Sequence, residues 1–375
     1  MGLSRILSYL TLCCCCVLAC AVQAEPEGYL DENIQQAEED ASLQAKPGNW
    51  VLAPIPVSNP TVGTGLQAVL LYLHPKQPGE ADVANATSGL VGMYTDSKSW
   101  VAGAFHDGNW GGDLYRYRLF AGQGNFNLNF YGIGQNPKFI DDSVKYSLQG
   151  QVLGGQLQRR LPGTREWYGG ISYVYMDTKV SFKLSNLQPD LPDVSKPFIN
   201  GGLGLLATYD SRDDNYYPQR GQMFQLSLTD YGETWGGDYE YDMLKAFYNH
   251  YLPLRPETTL AMRAFLQSSN GNAPFFALPN LNMRGFSRDR YRDDHSLSLH
   301  AELRHKFRPR WGAVAFLEAG WVGGELNGLL DGDVVTSEGV GLRWQATEDK
   351  ALNLGLDLAF SDGDSTVYIR VGEMF

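Results

Sequence analysis

Beyond residue 20 the chain has no cysteine: Cys13, Cys14, Cys15, Cys16 and Cys20 all lie in the apolar run 6–22 that follows Arg5. No disulfide framework can therefore staple the remainder. The run is shorter than the ~20 apolar residues a membrane-spanning helix needs. Val22-Gln23-Ala24 presents the small side chains of a signal-peptidase site, so residues 1–24 read as a signal peptide. Two other fates are open on the residues alone, retention as a signal anchor and lipidation at Cys20 behind Val17-Leu18-Ala19. Nothing after Ala24 approaches a second long apolar run, which excludes helical membrane spans. An excess of positive charge is missing too. Without the signal, 29 basic residues face 42 acidic ones, a charge of −13 that makes nucleic acid a poor partner. Helical periodicity is absent from Val62 onward, which argues for one large all-β unit over two mixed soluble domains.

What is present is alternation. In 351–361, Leu352, Leu354, Leu356, Leu358 and Phe360 share one face, and Asn353, Gly355, Asp357 and Ala359 share the other. From Ser296 the polar face carries Ser298, His300, Glu302, Arg304 and Lys306. A soluble sandwich would alternate in the same way, so spacing has to decide. In 311–322 one face reads Trp311, Ala313, Ala315, Leu317, Ala319, Trp321, a tryptophan at each end of a small apolar row. Ten residues make about 33 Å of strand, which a tilt of roughly 40° projects to about 25 Å, the height of the apolar band between aromatic girdles. Arg304, Lys306, Glu302, Arg343 and Arg370 would then face the lumen. The predicted fold is a single transmembrane antiparallel β-barrel of sixteen strands, or fourteen if the weak breaks at 96–99 and 122–125 are discounted. An even count puts both ends on the periplasmic side, with short periplasmic turns and long external loops. The barrel is expected over 61–375, after a short periplasmic segment, 25–60, in which Leu30, Ile34, Ala37 and Ala41 suit one acidic helix.

Three stretches are more specific than alternation: Asn282-Met283-Arg284-Gly285-Phe286 in a long loop, Phe316-Leu317-Glu318-Ala319-Gly320 on a strand, and the turn from Asp210 to Gly221 with Arg212, Asp213 and Pro218. Together they resemble the bacterial surface antigen family, the barrel part of the BamA- and TamA-like assembly and translocation superfamily. The resemblance covers most of the chain from Pro54 to Phe375. It implies sixteen strands, an Arg-Gly-Phe motif in the sixth external loop, and an acidic residue on the thirteenth strand. Parity points Glu318 into the lumen, so an inward-folded loop could bring Arg284 to it, with Gly285 supplying an unusual backbone angle and Gly320 the room. The family usually has aspartate at Glu318 and tandem periplasmic POTRA domains ahead of the barrel, for which 25–60 is too short. The final strand, with Val367, Ile369, Val371 and a terminal Phe375 on one face and Tyr368 between them, is similar to the signal by which such barrels are recognised for assembly.

Catalytic and metal chemistry find little support. His295, His300 and His305 lie five apart, so they cannot share one face or one metal. Ser298 with His300 is the nearest approach to a hydrolase pair, with no third partner visible. No cofactor and no enzymatic activity are expected, and Asp210, Arg212 and Asp213 read as turn-bracing charges. The expected surroundings are outer-membrane lipid and, during biogenesis, the barrel assembly machinery. Two functions stay open: insertion or translocation of a protein or lipid at a weak seam between first and last strands, as the resemblance implies, and a passive pore or structural barrel.

Overall fold

A computed structural model describes residue 48 and residues 50–375, apart from 77–84, 139, 141–142, 185–191, 215–216, 346–352 and 362–363. The expected signal peptide and acidic helix, and Cys20 with them, lie outside the described residues. Sixteen strands form a closed antiparallel barrel. In chain order they are β1 Trp50–Asn59, β2 Gly63–Leu73, β3 Thr87–Thr95, β4 Trp100–Trp110, β5 Tyr115–Phe130, β6 Val144–Arg160, β7 Trp167–Phe182 and β8 Val194–Asp210. The circuit continues with β9 Gly221–Tyr231, β10 Tyr241–Arg255, β11 Thr258–Gly271, β12 His295–Arg308, β13 Trp311–Gly323, β14 Val335–Gln345, β15 Asn353–Ser361 and β16 Asp364–Val371.

The total of sixteen agrees with the expectation, yet two errors cancel within it. Residues 113–131, expected as two strands, are the single strand β5, which pairs without interruption from Tyr115–Arg159 to Phe130–Val144. Gly122-Gln123-Gly124 reads as a break, but inside a full ladder it merely lacks bulk. The barrel also begins at Trp50, inside the segment assigned to the periplasm. Pro54 and Pro56 hide β1, since a strand with two prolines is tolerated only where their missing N–H groups face an edge. The break at 96–99 is real, a tight turn with Lys98 at φ 64°.

Alternation sorts the side chains into two environments. Leu66, Leu90, Leu119, Leu153, Leu317 and Leu356 stand exposed on the outer face, an apolar band suited to lipid. The lumen is not uniformly polar. Along β1–β4 its wall is Ala53, Ile55, Val69, Leu71, Val91 and Phe105, all buried in one cluster. Higher up, Phe126, Leu128, Tyr146, Met176 and Phe198 form a second cluster against Phe275 and Phe276 of the loop 272–294. Charge is gathered on the remaining wall, β11–β16. The apolar wall explains why alternation is weak along β1–β4: there both faces meet apolar surroundings.

Candidate functional site: an ion-paired loop latch

The loop 272–294 leaves β11, folds into the barrel and returns as β12. Its course follows from residues that cannot stay exposed. Leu281, Met283, Phe286 and Tyr291 pack with Val322 of β13 in a cluster of their own. Between Met283 and Phe286, Arg284 is carried to the charged wall, where it is 1% exposed. Its Nε donates to Glu318 Oε1 at 2.7 Å, and its backbone N–H to Glu318 Oε2 at 2.7 Å. Its Nη1 reaches Glu302 Oε2 at 2.7 Å and Asp357 Oδ2 at 3.2 Å. The guanidinium lies over the Phe316 ring, 3.3 Å from its centroid, a contact that favours a planar cation.

The structure therefore brings Arg284 and Glu318 together, and it adds partners that sequence reasoning missed. Glu302 is shared with Arg304 at 2.8 Å. Asp357 is shared with Arg343 and with Arg370, the latter at 3.1 Å. Arg343 also holds Glu373 at 2.8 Å. Four arginines thus face the four side-chain carboxylates of Glu302, Glu318, Asp357 and Glu373, a pairing that makes burial of so many ions tolerable. The available signal was the position of Glu302 and Asp357, carboxylates in mid-strand on the lumen face, where an unpaired charge would be costly.

Gly285 has φ 91°, which an L side chain rarely adopts. Its N–H donates to the Tyr368 hydroxyl at 2.8 Å, and its carbonyl accepts from Ser361 Oγ at 2.8 Å, tying the loop to β16 and β15. At Gly320 a Cβ would lie 2.6 Å from Met283 Sδ and 2.8 Å from a methyl of Leu281, so this glycine leaves the room the inserted loop occupies. Gly285→Ala should cost about 1–3 kcal/mol of strain, made worse by Ser361 Oγ, 2.8 Å from the new methyl. A urea midpoint equal to that of the native barrel would refute this.

Two further anchors cross the lumen. The Arg288 N–H donates to Thr61 Oγ1, in the β1–β2 turn, at 2.9 Å. On the opposite wall Tyr146 donates to Asp289 at 3.4 Å, Asp289 pairs with Arg292, and Arg292 Nη1 donates to the Phe275 carbonyl at 2.8 Å. The loop is held from β6 to β16 by buried groups.

The turn 211–220 is braced internally and meets this network through Tyr217, whose ring centroid lies 6.0 Å from the Arg304 guanidinium. Arg212 pairs with Asp210 at 2.9 Å, and Asp213 Oδ1 accepts the N–H groups of Gln219 and Arg220. Pro218 and Tyr217 are buried, and Gly221 has φ 100°. Burial, with Glu373 adding to it, pushes the Tyr217 phenol up to about 12. It is therefore a neutral ring beneath the Lys306 ammonium, 4.4 Å from its centroid.

The chain end departs from expectation. Tyr368 points into the lumen, as its parity requires, but Phe375 does not continue the lipid face of Val367 and Ile369. β16 stops at Val371, and Gly372 at φ 84° turns the chain inward. There Glu373 meets Arg343 and Asn353, the Phe375 carbonyl accepts from Arg304 at 2.6 Å, and the Phe375 ring lies 5.9 Å from His300. Strand parity could not show this, because the turn ends the strand before parity reaches Phe375.

The pair Ser298 and His300 does meet, with Oγ to Nε2 at 3.0 Å, and a third partner exists in Glu318, 3.3 Å from His300 Nδ1. The order resembles a serine–histidine–acid relay. Its surroundings do not suit one. Ser298 is 2% exposed, Glu318 is committed to Arg284, and Ser298 lies in ladders opposite Phe265 and Gly320 that occupy the local backbone. Among the described residues no group of histidine, cysteine and carboxylates could hold a metal ion.

A family model described as an Omp85 superfamily domain matches residues 106–375. Among solved structures, CdiB from Escherichia coli superposes with a TM-score of 0.58 at 13% identity, over 90% of this chain and 69% of that one. BamA from Haemophilus ducreyi lacking POTRA domains 1-3 gives 0.56 at 12% identity, over 91% and 76%. CdiB from Acinetobacter baumannii gives 0.56 at 10% identity, over 86% and 59%, so this chain spans less than two thirds of it. At such identities the likeness is one of fold. No curated protein sequence matches.

Proposed function

Because the chain belongs to the Omp85 superfamily, we propose that it acts in the outer membrane by opening the seam between β1 and β16, assisting insertion or translocation of a protein or lipid. The observation that carries this reading is the seam itself. β1 and β2 pair residue by residue from Trp50–Tyr72 to Asn59–Gly63, whereas among the described residues β1 and β16 register at the single pair Ser58 opposite Ile369. Backbone ladders hold a barrel closed, so the weakest ladder is where it opens. The interior weighs against a passive pore, since apolar clusters and the inserted loop fill it. On this reading the protein is not an enzyme. The latch is structural, bulk lipid is its surroundings, and the barrel assembly machinery acts during its biogenesis.

Cysteines at Ser58 and Ile369 test it. The two residues are Cα partners, and every native cysteine lies within the first 20 residues. Purified barrel in vesicles would be assayed for insertion of a small eight-stranded barrel and for exchange of fluorescent phospholipid between leaflets. Oxidising the S58C/I369C pair should abolish the activity found, and dithiothreitol should restore it. Activity untouched by the cross-link, or absent from the native protein in both assays, would defeat the proposal.

A further inference from the structure

The backbone of β1 has an unusual edge. Leu73 accepts from the Gly48 N–H on the β1 side, while the N–H of His74 donates to Ala86 on the β3 side. Odd residues of β2 therefore address β1 and even ones address β3. By the register of β1 with β2, the odd residues of β1 bond to β2, and Trp50, Leu52, Pro54, Pro56 and Ser58 turn their backbones to the seam. Two successive donors on that edge are absent, because Pro54 and Pro56 have no N–H. Below the Ser58–Ile369 pair β16 runs only two residues further, to Val371; Gly372 then turns inward, and Glu373 and Phe375 are tied to Arg343 and Arg304, so Pro54, Leu52 and Trp50 have no β16 partner.

An extended polypeptide entering here would leave carbonyls and amides unpaired, and strand addition owes its affinity to main-chain bonds. A hydrocarbon chain needs none. Both faces of the wall beside this part of the seam are apolar. Trp50 and Leu52 are exposed outside, at 62% and 67%, and Ala53, Ile55 and Leu71 form the lumen side. At the periplasmic end of the same wall, on the outer face, a hydrogen-bonded row crosses four strands. His74 Nε2 meets Ser88 Oγ, Ser88 Oγ meets His106 Nδ1, and His106 Nε2 meets the Tyr117 hydroxyl, each at 2.8 Å. Polar imidazole and phenol groups among aromatic rings suit the headgroup level of a bilayer.

From this geometry we infer that the seam admits the acyl chain of a membrane phospholipid and does not template a polypeptide strand. The inference rests on the seam reading above and names its substrate class. The chain enters between β1 and β16 below Ser58, its methylenes against Ile55, Ala53 and Leu71, and the phosphate-bearing head stays beside His74 and His106.

The test uses the full barrel in vesicles of phosphatidylethanolamine and phosphatidylglycerol containing a phospholipid with a diazirine on its acyl chain, irradiated and mapped by mass spectrometry. Adducts on lumen-facing Ala53, Ile55 and Leu71 are expected, with outer-face Leu119 and Leu153 labelled as ordinary lipid contacts. The oxidised S58C/I369C barrel should lose the lumen adducts several-fold and keep the outer ones. P54V/P56V, which restores both donors at outward-facing positions, should lose them as well, and should gain cross-linking to a synthetic amphipathic β-strand peptide that the native seam does not capture. Heat-modifiable migration in electrophoresis checks that each variant is folded. Labelling confined to the outer face, together with peptide capture by the native seam that oxidation blocks, would overturn the lipid assignment and leave the seam standing. Lumen labelling and phospholipid exchange both indifferent to the cross-link would overturn the two together.

Discussion

Arg284→Glu should leave the barrel unable to reach its heat-resistant, fast-migrating form in electrophoresis without boiling. The native side chain bridges the loop 272–294 to Glu318, Glu302 and Asp357. Removing one partner from a buried pair costs about 3–5 kcal/mol, against a whole-protein stability of roughly 5–15 kcal/mol. Arg284→Ala should fall in that range, because Glu302 and Asp357 retain Arg304, Arg343 and Arg370 while Glu318 loses its principal cation. Arg284→Lys should cost less, keeping the charge and losing the fork that serves three carboxylates. Arg284→Glu adds a fourth carboxylate to the other three and should cost most. The charge swap R284E/E318R separates this network from a lone pair. A lone pair would be rescued, whereas here the new glutamate still faces Glu302 and Asp357, so no rescue is expected. Urea titration of the folded barrels gives the order, and trypsin gives a second readout through Arg288, Arg290 and Arg292 in the released loop. A barrel with Arg284→Glu that folds, resists heat and shields its loop would dispose of the latch.

The second large effect concerns conduction. Phe275 lies 5.2 Å from the Phe130 ring, 5.3 Å from Tyr146, 5.4 Å from Phe182 and 5.6 Å from Phe276. Phe276 in turn lies 5.2 Å from Phe198. These rings fix the outer end of the loop inside the lumen, so the native barrel should show low or flickering conductance in planar bilayers. F275A/F276A removes the two rings and leaves Arg284 in place. Truncating a fully buried phenylalanine costs about 3–5 kcal/mol, and less is expected here because both rings are only partly buried. The loop should stay latched at β13 and come away from β5–β8, giving steadier and larger openings. A native barrel with steady, ion-selective conductance, unchanged in the variant, would restore the passive-pore reading.

Much of this could be read before any fold was known. Glu318 alternates with Trp311 and Trp321, so its place in the lumen followed from parity alone. Arg284 could be matched to it through the resemblance of two short motifs. Glu302 and Asp357 were visible as lumen carboxylates, yet nothing in their spacing says that one guanidinium reaches both. That meeting depends on β12 and its neighbour β13 facing β15, one strand further on across β14, around a curved wall. β1 escaped notice for the opposite reason: its prolines are a local argument against a strand, and only the open edge toward β16 makes them acceptable.

The sequence by itself determined that nothing after Ala24 is long and apolar enough for a helical span and that the chain is built of alternating strands of barrel-spanning length, because two-residue alternation, aromatic ends and strand length are local properties. It also determined which residues of the last strands face inward. Tertiary structure decided the rest: where the barrel closes, that the lumen wall is apolar along β1–β4 and the loop 272–294 folds inside, that Phe375 turns inside, and that four arginines and four carboxylates pair with one another. The physical reason is range. A side chain's face is set by its immediate neighbours, whereas a seam, a plug and an ion network are set by which distant strands curvature brings together.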